Sequence, residues 1–99
     1  MSKTTLHSLT CLKQAGEKAT CITSYDASLT QRVNQAGIDI ILVGDSLGMV
    51  LQGHDSTLPV TMEQMVYHTR CVEAGNSEAL IMSDMPFMSY RTVEQAMTN

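Results

Sequence analysis

Three short stretches hold the side chains best suited to chemistry. Gly44-Asp-Ser46 follows the run Ile38-Asp-Ile-Ile-Leu-Val43, Asp84 follows Ala79-Leu-Ile-Met-Ser83, and Thr23-Ser-Tyr-Asp26 closes the β-like run Ala19–Thr23. Asp45 and Asp84 thus stand just past two successive apolar runs. Neighbouring parallel strands lie only ~5 Å apart, so two such runs would bring both carboxylates to one rim, within reach of one hard cation. Mg2+ commonly takes one or two carboxylates together with water and substrate oxygens. An Asp at a strand end can equally cap a helix or make a turn, and each residue carries both readings. Ser46 could bind a substrate carboxylate through its hydroxyl and backbone N–H, serve as a nucleophile, or simply shape the turn.

Other candidates read more quietly. The stretch Gln52-Gly-His-Asp-Ser-Thr-Leu-Pro59 belongs to a connection far longer than the usual ~2–6 residues. Long loops at such positions are often functional, and His54 is either an active-site group or a surface histidine. His7 and His68 read as partly buried or solvated helix histidines. Met62 and Met65 read as core filling, and Met85 and Met88 as loop packing. Neither a P-loop nor a Gly-x-Gly-x-x-Gly is present.

The elements that must position these groups alternate in type. Leu6, Leu9 and Leu12 give a short N-terminal helix with one apolar side, ending near Gly16. Ala19–Thr23 is a first strand. Asp26 caps a helix through Ala36, with Leu29, Val33 and Ala36 on one face and Gly37 at the C′ position. Ile38–Val43 is the clearest strand, and its near-continuous apolar character suits a parallel strand covered on both faces. A loop from Gly44 to Pro59 follows. Thr61-Met-Glu-Gln64 has the capping-box pattern and opens a helix with Met62, Met65, Val66 and Thr69 on one face, stopped by Gly75. Ala79–Ser83 is a third strand, broken by Asp84-Met-Pro86. Thr92-Val-Glu-Gln95 repeats the capping-box pattern before a last helix. Alternation of this kind implies an α/β protein with parallel strands and crossover helices. A lone three-stranded parallel sheet has two open edges, so the 99 residues read as the first part of a larger α/β protein.

Composition narrows the function classes. Hydrophobic residues are 43% and charged residues 16% of the chain, which suits a packed core rather than disorder. The net charge is -4, which disfavours electrostatic binding to nucleic acid or anionic lipid. Trp is absent and aromatics are 4%, a poor basis for base stacking. Cys11, Cys21 and Cys71 form no Cys-x-x-Cys pair and read as three reduced, buried thiols of a cytoplasmic protein. Met1–Thr10 has no apolar core of a signal peptide. No stretch approaches the ~18–20 apolar residues of a membrane span.

The motifs together resemble one enzyme family. Thr23-Ser-Tyr-Asp26, Val43-Gly-Asp-Ser-Leu-Gly-Met49, Gln52-Gly-His-Asp-Ser-Thr-Leu-Pro-Val60, Tyr67-His68 and Asp84-Met-Pro-Phe-Met-Ser-Tyr90 resemble ketopantoate hydroxymethyltransferases, in order and over essentially the whole chain. Ser24 stands where that family usually has Ala, a change expected to matter little. The resemblance implies a (β/α)8 TIM barrel, of which residues 1–99 would be a truncated N-terminal part: a helix and about three β-α units of a ~250-residue domain. It implies transfer of a hydroxymethyl group from methylene-tetrahydrofolate to 3-methyl-2-oxobutanoate, giving 2-dehydropantoate for pantothenate and coenzyme A. It makes Asp45 and Asp84 the Mg2+ ligands, and Asp45, Ser46 and Asp84 the keto-acid contacts, with an enolate stabilised by the metal. It gives His54 no catalytic role. It places the catalytic base, a Lys and a further Glu beyond residue 99, so the isolated segment is expected to be inactive. It also implies a cytoplasmic homo-oligomer, often a decamer. Two alternatives stand beside it. Gly-Asp-Ser-Leu also marks serine esterases, with Ser46 as nucleophile, although the Asp-x-x-His pair those enzymes use is absent here. The chain could also be a non-catalytic fragment.

Overall fold

A computed structural model describes residues 3–99; Met1 and Ser2, the start of the stretch read as free of a signal peptide, lie outside the described residues. The elements run α1 (Leu6–Gln14), β1 (Cys21–Thr23), α2 (Ala27–Gln35), β2 (Ile40–Val43), α3 (Leu47–Val50), α4 (Met62–Gly75), β3 (Leu80–Ser83) and α5 (Val93–Thr98). The three strands form one parallel sheet in the order β1-β2-β3. The register sets Thr23 beside Leu42 and Leu42 beside Met82. Strand order therefore follows chain order, with no reversal, and α2 packs against α4. This is how successive units of a barrel-type α/β fold run, whereas a doubly wound sheet reverses at a switch point.

The strands are shorter than the sequence predicts. Ile38 and Asp39 fall outside β2 because the chain is still leaving α2 there. Gly37 takes φ +78, which a side chain would resist, and Ile38 N–H points back to the Val33 carbonyl. Asp39 then ties the strand starts together. Its carboxylate accepts from Thr20 N–H (2.9 Å) and Thr20 Oγ1 (3.1 Å), and its own N–H donates to Thr20 Oγ1 (3.0 Å). The expected loop from Gly44 to Pro59 contains the one-turn helix α3, whose Leu47 is fully buried.

The core lies on one face of the sheet. Ile41 and Val43 are buried with Val33 of α2, Leu47 of α3, Val60, Met65 and Val72 of α4, and Ala79. Ile40 and Leu42 point the other way and are half-buried, and Thr23 and Met82 beside them are exposed. Among the described residues one face of the sheet is covered, since α2 and α4 both lie on the Ile41–Val43 face. The reading of the cysteines as buried is corrected. Cys11 and Cys21 are exposed and Cys71 is half-buried, and all three are free. Cys11 sits on α1, which buries no residue, and Cys21 begins the exposed edge strand β1.

Capping follows the sequence closely. Asp26 accepts from Leu29 N–H at 2.7 Å, and Thr61 and Gln64 form the complete reciprocal box. At α5 only half of the box forms. Thr92 accepts from Gln95 N–H, but the Gln95 side chain reaches one residue further back, to Arg91 N–H (2.9 Å).

The inner face of α2 departs from the apolar stripe the sequence suggests. Leu29 is 46% exposed and Ala36 is exposed, while Thr30, Val33 and Asn34 are buried. The cause is the close approach of α2 to α4. Gly75 ends α4 as expected, and a Cβ there would overlap the Ala27 backbone, so the same glycine also makes the helix contact. Polar side chains can then face inward because each is satisfied. Asn34 Nδ2 donates to Thr30 O and Asn76 Oδ1, and Asn34 Oδ1 accepts from Glu78 N–H (2.8 Å) and Ala79 N–H (3.3 Å). One carboxamide thus fixes the turn that delivers β3. Asn34→Ala would leave those backbone donors without their acceptor, at about 1–3 kcal/mol for each buried unsatisfied group. We expect equilibrium urea unfolding to show a loss of about 2–3 kcal/mol; a loss below ~0.5 kcal/mol would contradict this clamp.

Candidate active site

The parallel register carries three strand exits to one rim. β1 leads into Ser24-Tyr25-Asp26, β2 into Gly44-Asp45-Ser46 and β3 into Asp84. The rim is held by backbone bonds that extend the ladder: Ser24 N–H to Leu42 O and Asp84 N–H to Val43 O. Across it, Asp45 N–H donates to Asp84 Oδ2 at 3.1 Å. The two carboxylates singled out from the sequence are therefore brought together. They line an open depression of about 510 Å³ with Ser83, Met85 and Tyr90.

Ser46 is turned differently. Its Oγ lies 3.1 Å from the Tyr25 hydroxyl, and it is not among the residues lining that depression. Gly44 makes the crowding tolerable, since a Cβ there would stand 3.3 Å from Ser46 Oγ and 3.6 Å from Asp84 Oδ2. Tyr25 is held from below by α4. His68 Nδ1 is 2.9 Å from the Tyr25 carbonyl oxygen, and the two rings meet edge to face at 6.5 Å. A carbonyl only accepts, so Nδ1 carries the proton in this contact.

The loop after β3 shapes the far wall. Ser89 N–H and Oγ both donate to Pro86 O, and Met88 adopts φ 65, a left-handed conformation uncommon for a side-chain-bearing residue. His54 lies elsewhere. It is exposed, and its N–H donates to Gly48 O. The buried Ser24 hydroxyl pairs with Thr30 Oγ1 at 2.8 Å, and Thr30 Oγ1 also bonds Asp26 O, so a serine fits there at little cost. On the outer side of α4, Cys71 one turn on from Tyr67 raises the phenol above its ordinary range, first by hydrogen bonding and then by charge.

Sequence reasoning did not find the Tyr25–Ser46 contact or the role of His68. A signal existed for His68: it lies between Met65 and Val72, the buried positions of α4. Among the described residues, no group of three or more His, Cys, Asp or Glu forms a metal cluster. Asp45 and Asp84 are a pair, and further ligands would have to come from water, substrate or other residues.

These features define the class: a parallel α/β protein with a carboxylate pair and a hydroxyl at the strand C-terminal rim, the usual position of active sites in barrel-type folds. Within that class the sequence comparisons are specific. The sequence profile of ketopantoate hydroxymethyltransferase matches residues 3–99. The 3-methyl-2-oxobutanoate hydroxymethyltransferase of Marinobacter nauticus is 65% identical over 95 residues, covering 96% of this chain and 36% of that protein. Its counterpart in Shewanella loihica is 62% identical over 99 residues, covering 100% of this chain and 38% of that protein. The chain belongs to the ketopantoate hydroxymethyltransferase family, and it spans a little over a third of the length of these curated relatives.

Gly44→Ala tests the rim directly. The added methyl should displace Ser46 Oγ from Tyr25 and cost about 1–3 kcal/mol, as overpacking commonly does. A crystal structure of the variant with the Tyr25–Ser46 bond intact, and an unchanged urea midpoint, would contradict this account.

Proposed function

We propose that these residues form part of the keto-acid and metal site of an enzyme that transfers a hydroxymethyl group from methylene-tetrahydrofolate to 3-methyl-2-oxobutanoate, giving 2-dehydropantoate. The observation that carries the reading is the meeting of Asp45 and Asp84 at one rim, joined by the Asp45 N–H to Asp84 bond, in a chain of this family. The donor set fits Mg2+. Both are hard oxygen ligands on an open depression, where water and substrate oxygens can complete the octahedral shell this ion demands. When bound, the ion would supply Lewis-acid polarisation of the ketone, easing loss of the C3 proton.

The chain's own residues have separate tasks in this reading. Asp45 and Asp84 provide the negative charge that would hold the cation. The Asp45 N–H fixes one oxygen of Asp84, which restricts the carboxylate's rotation and leaves its second oxygen without that bond. Ser46, which follows Asp45 at the rim and faces Tyr25 rather than the depression, would offer its hydroxyl proton to a substrate carboxylate reaching past the depression's edge. Met85 and Tyr90 provide a partly apolar wall beside the polar rim. The same reading carries (β/α)8 closure by further β-α units, a cytoplasmic location and a homo-oligomer. No base is assigned within residues 1–99.

The experiment uses a chimera in which these 99 residues replace the matching segment of the Shewanella loihica relative. Asp45→Ala and Asp84→Ala should each reduce Mg2+-dependent deuterium exchange at substrate C3 by about 100-fold or more, since losing even an outer-shell partner of a metal site costs about 10–100-fold. Exchange at the parental rate would remove both residues from the metal site. The 99-residue polypeptide by itself should form no 2-dehydropantoate, and measurable turnover would refute the division of tasks.

A further inference from the structure

We infer that Tyr25, held by His68, is a positioning residue that orients the Ser46 hydroxyl toward the substrate carboxylate. The inference rests on the proposed keto-acid site and adds to it two residues from outside the strand-end carboxylate pair. Three contacts carry it. The Tyr25 hydroxyl is 3.1 Å from Ser46 Oγ. The Tyr25 carbonyl accepts from His68 Nδ1 at 2.9 Å. The Tyr25 ring packs on the hydrophobic core and edge to face on His68, at 6.5 Å and 87°.

The chemistry requires a direction in this chain. A serine hydroxyl has one proton, and a substrate carboxylate only accepts. If Ser46 spent its proton on Tyr25, none would remain for the substrate. Tyr25 must therefore donate to Ser46 Oγ, which leaves the Ser46 proton free and polarises it through a chain of like-directed hydrogen bonds. Tyr25 can do this only if its backbone stays in place. It lies in the connection between β1 and α2, and α4 supplies the anchor through His68. Tyr25 comes from the β1–α2 unit, and Ser46 and His68 from the β2–α4 unit, so the hydroxyl's aim is set by the packing of two adjacent units.

The test is a kinetic cycle in the same chimera, with Ser46→Ala, Tyr25→Phe, the double variant, His68→Asn and His68→Ala. Ser46→Ala should raise KM for 3-methyl-2-oxobutanoate. Tyr25→Phe, which removes only one oxygen, should raise that KM about 5–20-fold with kcat within about 3-fold, the signature of lost ground-state binding. In the Ser46→Ala background it should raise it no further, because coupled residues are non-additive. His68→Asn, whose amide nitrogen can replace Nδ1, should behave as the parent, and His68→Ala should behave as Tyr25→Phe. A structural role alone would lower the melting temperature in all variants without separating KM from kcat or Asn from Ala. If Ser46→Ala raises KM while Tyr25→Phe does not, or if the two effects simply add, the positioning role is overturned and the site reading survives. If Ser46→Ala leaves KM unchanged, the site reading falls and this inference falls with it. Should the His68 variants fail to fold, the cycle between Tyr25 and Ser46 decides by itself.

Discussion

The parallel register of β2 between its two neighbours is the constraint on which the rest depends. Pairing Thr23 with Leu42, and Val43 with Ser83, makes three chain segments leave the sheet at one level. Asp45 and Asp84 are 39 positions apart in sequence, yet one strand spacing brings the backbone of the first to the carboxylate of the second. A parallel pair also needs a crossover to return the chain to its starting end, and α2 and α4 are those crossovers. The rim and the helix layer are thus two consequences of the same pairing.

Holding that register falls largely to polar groups, because the hydrophobic core is small. Eight buried hydrophobic residues form it, and they fill one face only. Asp39 with Thr20 secures the entry of β1 and β2, and Asn34 secures the turn into β3. The Asp39–Thr20 bonds are exposed, whereas Asn34 is buried, and a buried polar group is costly when unpaired and specific when paired. Asn34 sits on the helix face that Gly75 allows to approach α4, so the close contact and the polar clamp support each other. Among the described residues, no helix lies over the opposite face of the sheet, which bears Thr23, Leu42 and Met82. That one-sidedness agrees with a wall of a barrel-type fold whose interior is supplied by further strands.

Much of this was legible in the sequence. Alternating apolar runs and capping residues located every helix except the single turn α3, and placed the strands to within two residues. The pair of Asp residues after successive apolar runs was visible because strand ends in parallel folds share a rim. What was not legible had a common cause. Strand starts were overextended because Ile38 and Asp39 have strand-like composition but follow the left-handed Gly37. The face of α2 was misjudged because periodicity counts apolar side chains, whereas Thr30 and Asn34 are buried by virtue of partners far along the chain. Gly75 is the helix stop the pattern indicates; that it also lets a neighbouring backbone approach is something no local pattern reveals.

The sequence by itself determined the order of elements, the family and the identities of the rim residues, because local propensity and motif spacing are written along the chain. Only the tertiary structure decided which groups touch. It set Ser46 against Tyr25, Tyr25 against His68, and Asp84 against the backbone of Asp45. Each contact joins residues separated by 21, 43 and 39 positions, respectively. Such contacts arise only once parallel pairing and helix packing have fixed strand ends and helix faces within hydrogen-bonding distance.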